Sequence, residues 1–89
     1  MLNAVRHARF KHDVEKMRKR GKDLPKLTAV IDMLIDGKSL PERYKDHPLK
    51  GDLTGFRDCH IEPDWVLIYT VQGNDLILFR TGSHTDILE

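Results

Sequence analysis

Three histidines with polar neighbours are the first candidates for chemistry in this 89-residue chain: His47, His60 and His84. Histidine has an ordinary pKa of about 6.5, so it can take up or release a proton near neutral pH. Asp46 adjoins His47, and Asp58 precedes His60 by two positions. Residues of these types can carry out acid–base chemistry, but the sequence alone shows no acid–base constellation, and a histidine taken alone is more often a surface residue or a core residue bonded to the backbone.

Metal binding is a second interpretation of the same residues. Three histidines and an aspartate are acceptable zinc ligands, but none of them shows the i, i+4 or short-loop spacing that preorganises a metal site. A single cysteine, Cys59, allows neither an internal disulfide nor a cysteine zinc cluster and fits a reducing compartment. We therefore expect a cytoplasmic protein with no metal and no cofactor. The longest apolar runs fall short of the ~18 residues of a membrane span, so we expect no membrane association.

Charge is divided between the two halves of the chain. Residues 1–50 carry 13 Lys and Arg against 7 Asp and Glu, whereas residues 51–89 carry 2 against 7. A basic segment of this kind suits a polyanion or an acidic protein partner, and it is also typical of the solvated face of a helix. Charge alone does not decide between these interpretations.

The basic half is predicted to be a helical hairpin. Phe10, Val14 and Met17 form one apolar stripe that ends before Gly21. A second, stronger stripe follows Asp23, which can cap a helix, and Pro25, which suits its first turn. The stripe ends at the pair Asp36-Gly37. Its members are Leu27, Val30, Ile31, Leu34 and Ile35.

The acidic half is predicted to be a β-meander. Residues 56–61, 65–71 and 76–81 are strand-like, and short turns between them favour antiparallel neighbours. Residues 2–7 are compatible with an edge strand. A single α+β domain over residues 1–89 follows, with the hairpin packed on one face of a three- to four-stranded antiparallel sheet and the other face free. Alternation places Arg80, Gly82 and His84 on one face of the last strand.

Three motifs give the chain a specific resemblance to a known family. They are YKDHPLKG at residues 44–51, FRDCHIEPDW at 56–65 and RTGSH at 80–84. In order and spacing they are similar to the signature of YafQ-type toxins of the RelE/ParE superfamily, which belong to bacterial type II toxin–antitoxin systems. The resemblance runs over nearly the whole chain and implies the RelE-like, microbial ribonuclease-type fold.

The resemblance also implies an activity. Such toxins are ribosome-dependent endoribonucleases (mRNA interferases) that cut mRNA in the ribosomal A site and inhibit translation. In metal-independent cleavage the 2′-hydroxyl attacks the adjacent phosphate and leaves a 2′,3′-cyclic phosphate. That reaction requires a base, an acid and a cation that stabilises the extra charge.

The resemblance further implies which residues act. His84 is expected to be the general acid, Arg80 the phosphate cation, and either His47 or Asp64 the base, while His60 orients the phosphate or shares the proton transfer. Lys50, Arg57 and Trp65 are expected to bind substrate, the first two through backbone phosphates. Leu88 stands where relatives can carry an aromatic residue, so base stacking is expected to weaken there or to pass to Trp65.

The implied partners are the ribosome with its mRNA and a small DinJ-like antitoxin that folds on binding, in a toxin–antitoxin hetero-oligomer such as a heterotetramer. Two alternatives remain open from the sequence. One is a RelE/ParE-fold module without nuclease activity that acts by binding gyrase or an antitoxin. The other is a basic RNA-binding domain that binds without cutting.

Overall fold

The computed structural model describes residues 1–87, which form a five-stranded sheet and three α-helices. In chain order the elements are β1 (Asn3–Arg6), α1 (Ala8–Lys19), α2 (Leu24–Ile35), β2 (His47–Pro48), β3 (Arg57–Glu62), β4 (Trp65–Gln72), β5 (Asp75–Gly82) and α3 (His84–Ile87). Two 3₁₀ turns, Glu42–Tyr44 and Gly51–Leu53, lie on either side of β2.

The predicted helical hairpin is present, and its apolar stripes face the sheet. Phe10 and Met17 of α1 are buried, as are Leu27, Val30 and Leu34 of α2. They pack in one cluster with alternate residues of β4 and β5. Asp23 occupies the N-cap of α2 as predicted, although its side chain makes no capping hydrogen bond there.

The sheet has the order β1-β5-β4-β3-β2 and is mixed, which corrects the predicted all-antiparallel sheet of three or four strands. β1 pairs parallel with β5, whereas the other three pairings are antiparallel. Neither edge strand carries a strong pattern: all four residues of β1 are exposed, and β2 has two residues, one of them a proline. An edge strand without an apolar face gives no alternation to detect.

The second face of the sheet is not free, contrary to the prediction. Val66 and Ile68 have no exposed surface, yet by alternation they point away from the helix side where Trp65 and Leu67 lie. Leu49 and Ile87 line a groove on this face. The connection before β3 and the C-terminal helix therefore cover part of the second face and leave the rest open.

A bulge in β5 determines which residues share that second face. Ile68 is paired with Arg80, whereas the next residue, Tyr69, is paired with Leu78, so Phe79 is an extra residue in β5. An extra residue reverses the alternation, because side chains change face at each position. Arg80 therefore shares a row across the sheet with Ile68 and Asp58.

No helix of residues 1–87 has the length and apolar character required to span a membrane.

Candidate active site

The short strand β2 brings the first histidine to the sheet. Its pairing with β3 places His47 opposite Asp58, and Nε2 of His47 lies 3.7 Å from Oδ2 of Asp58. His60 lies two residues further along β3, on the same face as Asp58. The rings of His47 and His60 are 6.3 Å apart.

The third histidine joins this group from the C-terminal helix. His84 begins α3 and is not on β5, which corrects the predicted alternation through residue 84. Its ring lies 5.3 Å from that of His60 in an edge-to-face arrangement. The histidine cluster, defined as His47, His60 and His84, therefore gathers residues from β2, β3 and α3.

A hydrogen bond fixes the orientation of the His84 ring. Its Nδ1 is 2.8 Å from Oδ1 of Asp64, and the His84 backbone N–H donates to the same oxygen over 3.2 Å. These bonds hold the pKa of Asp64 below its ordinary value. An ionised carboxylate only accepts hydrogen bonds, so Nδ1–H donates and Nε2 is left for chemistry.

The orientation of His47 depends on the backbone. Its Nδ1 lies 2.6 Å from the carbonyl oxygen of Lys45, so here too Nδ1–H donates and Nε2 is available. Lys45 has φ 51°, a left-handed conformation that is uncommon outside glycine. This conformation turns the chain sharply just before β2.

Asp58 is the buried member of the site. Its side chain is 3% exposed, and its Oδ1 has no hydrogen-bond partner among the described residues. Burial raises the pKa of Asp58, and the charges of the three histidines oppose that rise. A buried carboxylate with an unpaired oxygen stabilises protonated histidines nearby, at a cost to folding.

A reciprocal cap and an ion pair anchor α3. Ser83 Oγ accepts from the backbone N–H of Asp86 at 3.1 Å, while the Asp86 carboxylate accepts from the backbone N–H of Ser83 at 3.0 Å. Arg20 at the end of α1 donates to both oxygens of Asp86, at 2.6 and 3.0 Å. The bond from Arg20 is the largest of the interactions that lower the pKa of Asp86. A Cβ at Gly82 would lie 3.1 Å from the Asp86 side chain, so glycine leaves room for this cap.

Arg80 shares the face of Asp58 and is held by α1. Its Nε and one terminal nitrogen donate to the Asp13 carboxylate over 2.6 and 3.2 Å. Asp13 is buried and also accepts from the Thr81 backbone N–H. The guanidinium is 16% exposed and borders the groove lined by Leu49, so one side of it reaches solvent.

Part of the cluster also has the geometry of a metal site. Asp58, His60 and His84 each offer one ligand atom, and these atoms lie within 4.8 Å of one another. Imidazole and carboxylate ligands suit zinc and copper. Sequence spacing did not indicate this set, because the fold alone brings the three residues together.

Comparison with known proteins identifies the family. A model of the family described as "Bacterial toxin of type II toxin-antitoxin system, YafQ" matches residues 2–89. The "mRNA interferase toxin YafQ" of Escherichia coli K12 is 46% identical over 76 residues, which cover 84% of this chain and 83% of the relative. The chain belongs to the YafQ family of type II toxins.

Solved structures agree with this assignment to the YafQ family. YafQ in the Escherichia coli DinJ–YafQ complex superimposes with a TM-score of 0.93 at 39% identity, over 100% of both chains. A metal-bound toxin from Helicobacter pylori gives 0.91 at 40% identity, over 98% of this chain and 99% of that one. These matches confirm the predicted α+β class.

The structure does not gather all of the residues that the YafQ resemblance implies. Asp64 joins the histidine cluster, whereas Arg57 bonds to Asp46 at 3.0 Å, and Lys50 lines the groove beside Arg80. Trp65 has no exposed surface, and its Nε1–H donates to Thr81 Oγ1 over 2.9 Å. The prediction that Trp65 stacks on a base is therefore wrong, because its ring belongs to the core. Leu88 lies outside the described residues.

Asp58 is the site residue for which sequence reasoning gave no role. Its spacing of two positions from His60 in a predicted strand places both residues on one face, and that was the available signal. Its burial could not be anticipated, because it depends on β2 and on the segments that cover the second face.

Proposed function

We propose that this chain is an mRNA interferase, the activity for which its Escherichia coli relative is named, and that it cleaves RNA by metal-independent acid–base catalysis. The observation that carries the proposal is the convergence of three histidine rings beside two carboxylates on a partly open face of the sheet. Two of the rings have Nδ1 engaged and Nε2 available. Two proton-transfer groups on one face are what 2′-hydroxyl attack requires.

His47 is the proposed general base. Its Nε2 takes the proton of the 2′-hydroxyl, and the 2′-oxygen then attacks the adjacent phosphorus. The carboxylate of Asp58, 3.7 Å away, stabilises the imidazolium that forms. Asp64 is the weaker candidate for the base because its Oδ1 already accepts two hydrogen bonds from His84.

His84 is the proposed general acid. As an imidazolium it gives its Nε2 proton to the departing 5′-oxygen when the phosphorus–oxygen bond breaks. Asp64 holds the ring in the required tautomer, as the aspartate does in a serine-protease triad. The products are a 2′,3′-cyclic phosphate and a 5′-hydroxyl.

Arg80 and His60 are the proposed phosphate-binding groups. Arg80 supplies the fixed positive charge, since Asp13 holds it through two hydrogen bonds and its remaining N–H groups can donate to phosphate oxygens. His60 contacts both other rings, so it orients the phosphate between base and acid. Lys50 and Arg57 are proposed contacts to flanking phosphates.

The proposed setting of this reaction is the ribosomal A site in the bacterial cytoplasm. Purified protein added to translating ribosomes should produce mRNA 5′ ends within A-site codons. Protein that binds ribosomes without new 5′ ends would favour an RNA-binding domain, and inhibition of gyrase without cleavage would favour the non-catalytic alternative.

A DinJ-like antitoxin is the proposed partner, by analogy with the Escherichia coli DinJ–YafQ complex. The basic helical hairpin offers positive charge to an acidic segment that folds on binding. Co-expression of the neighbouring small reading frame should restore growth and yield a complex that salt weakens.

Metal binding is a second candidate property, favoured by the ligand geometry and by the metal-bound Helicobacter pylori relative. Asp58, His60 and His84 would hold the ion, which would supply Lewis-acid chemistry at that position. Such an ion would occupy groups that acid–base catalysis needs free. We therefore expect zinc or copper to inhibit cleavage, and selective chelation to leave the metal-free enzyme fully active.

A further inference from the structure

A groove of about 490 Å³ opens beside the histidine cluster. His60 is one of its lining residues, and the others come from α2, from the 3₁₀ turn that precedes β2, and from the end of β3. Its volume is in the range of small-ligand sites. None of the catalytic roles proposed above uses the side chains of the rest of its lining.

Three cations border this groove: Lys26, Arg43 and Lys45. The carboxylate in its lining, Glu62, already bonds to Lys22 at 3.1 Å and to Lys26 at 3.0 Å. The groove therefore carries excess positive charge, as a phosphate-bearing ligand requires.

An aromatic platform lies among these cations. The Arg43 guanidinium stacks over the Tyr44 ring at 4.8 Å and donates to its hydroxyl over 3.0 Å. A guanidinium held against an aromatic ring in this way offers a surface on which an unpaired base can stack.

The groove also borders the open part of β3. Within residues 1–87, β2 pairs with Arg57 and Asp58 alone, so the edge of β3 from His60 to Glu62 faces the groove. Backbone groups at an open strand edge can bond to polar atoms of a ligand.

We propose that this groove binds one nucleotide of single-stranded RNA next to the scissile phosphate, with its base on Arg43 and its phosphate at Lys45. The proposal rests on the proposed ribonuclease function, because His60 links the groove to the reacting phosphate. It assigns substrate binding to the side chains of two residues, neither of which transfers a proton.

Cleavage kinetics on modified mRNA provide the first test. Ribosomes are programmed with mRNAs that carry one abasic nucleotide at successive positions around the cleavage site. For the wild type, one position should lower the single-turnover rate roughly 5- to 100-fold, the usual effect of one lost stacking contact. Arg43→Gln should lower the cleavage rate of intact mRNA by a similar factor. In this variant, an abasic nucleotide at the same position should lower the rate little further.

Lys38→Gln is the matched control, because it removes one exposed cation outside the groove. It should behave like the wild type at every abasic position. If the rate losses from Arg43→Gln and from the abasic nucleotide multiply, the Arg43 side chain and that base act independently. This result would overturn the proposed groove and leave the nuclease function intact.

Direct binding is the second test and does not depend on cleavage. An oligoribonucleotide with a 2′-O-methyl group at the cut site is titrated into ¹⁵N-labelled protein. We expect amide shifts at residues 43–45 and 60–62 that weaken in Lys45→Asn, since asparagine tolerates the left-handed backbone. These shifts, together with no cleavage of unmodified mRNA on the ribosome, would support the groove and refute the nuclease. Shifts confined to other surfaces, or groove amides that respond to antitoxin and not to RNA, would overturn the proposal.

Discussion

The two ends of the candidate site are held by different physical devices. At the C-terminal end, the His84 ring is bonded to Asp64, while α3 is capped by Ser83 and tied to α1 by the Asp86–Arg20 pair. At the other end, His47 bonds to the carbonyl of Lys45, and its Nε2 lies beyond hydrogen-bonding distance of Asp58. The proposed acid is therefore fixed by several side chains, and the proposed base by local backbone geometry.

This difference indicates where substitutions act. At the His84 end, substitution of the side chains that hold the ring should lower activity. The position of His47 depends instead on the turn at Lys45 and on the two-residue strand β2. The variants that follow separate the two ends.

The largest effect is expected from the acid itself. His84→Ala should lower the rate of mRNA cleavage about 10²- to 10⁴-fold, the usual contribution of a general acid. His12→Ala, which removes an exposed histidine of α1, is the control and should retain full activity. Equal toxicity of His84→Ala at matched expression would contradict the assignment.

Asp64→Asn tests how the acid is oriented. Cleavage should fall by about tenfold, far less than the 10⁴-fold cost in the serine-protease triad, because Asp64 is 73% exposed and water can replace it. The fall should be greater at high pH, where the imidazolium needs its carboxylate partner most. A uniform loss across a pH–rate profile would argue against the orienting role.

Asp58→Asn tests the other end. Cleavage should drop roughly fivefold, since a charge pair at this separation in a partly exposed site is worth about 1 kcal/mol.

The thermal midpoint of Asp58→Asn should nevertheless rise. Burial raises the pKa of Asp58, so the native state loses stability as pH rises through that pKa and the carboxyl ionises. The gain from asparagine should therefore be larger at pH 8 than at acidic pH, where the Asp58 carboxyl is protonated. No gain at pH 8 would show that the buried charge costs little.

The smallest effect on rate is expected from Asp86→Ala. The free energy of unfolding should fall by up to about 1 kcal/mol, as when a helix cap is lost. The pKa of Asp86 is lowered in the native state, so the wild-type advantage should be complete above about pH 4, the ordinary carboxyl range, and should decline as the pH falls further. Denaturant unfolding at pH 7 and pH 2.5 measures it, and an advantage as large at pH 2.5 as at pH 7 would exclude the ion pair as its source.

Sequence patterns predicted the helices and the central strands well. Stripes such as Leu27, Val30 and Leu34 record burial directly, so both helices and the three long strands were predicted close to their observed bounds. β1 was predicted only as a compatible edge strand, and β2 was missed, because edge strands bury little apolar surface.

The sequence indicated which residues to expect at the site better than it indicated how they are arranged. Family motifs gave His47, His60 and His84, whereas the burial of Trp65 and Asp58 depends on contacts between distant segments. The position of His84 at the start of a helix follows from the Ser83–Asp86 cap and not from strand alternation.

The most direct test of metal-independent acid–base cleavage is the chemistry of the product ends. Ribosomes are programmed with an mRNA whose nucleotide 5′ to the scissile phosphate carries either a 2′-hydroxyl or a 2′-hydrogen, and zinc and copper are removed by a selective chelator. We predict a 2′,3′-cyclic phosphate and a 5′-hydroxyl from the first mRNA and no cleavage of the second. Cleavage of the 2′-deoxy substrate, or 5′-phosphate ends, would contradict attack by the 2′-oxygen and with it the proposed roles of the histidines.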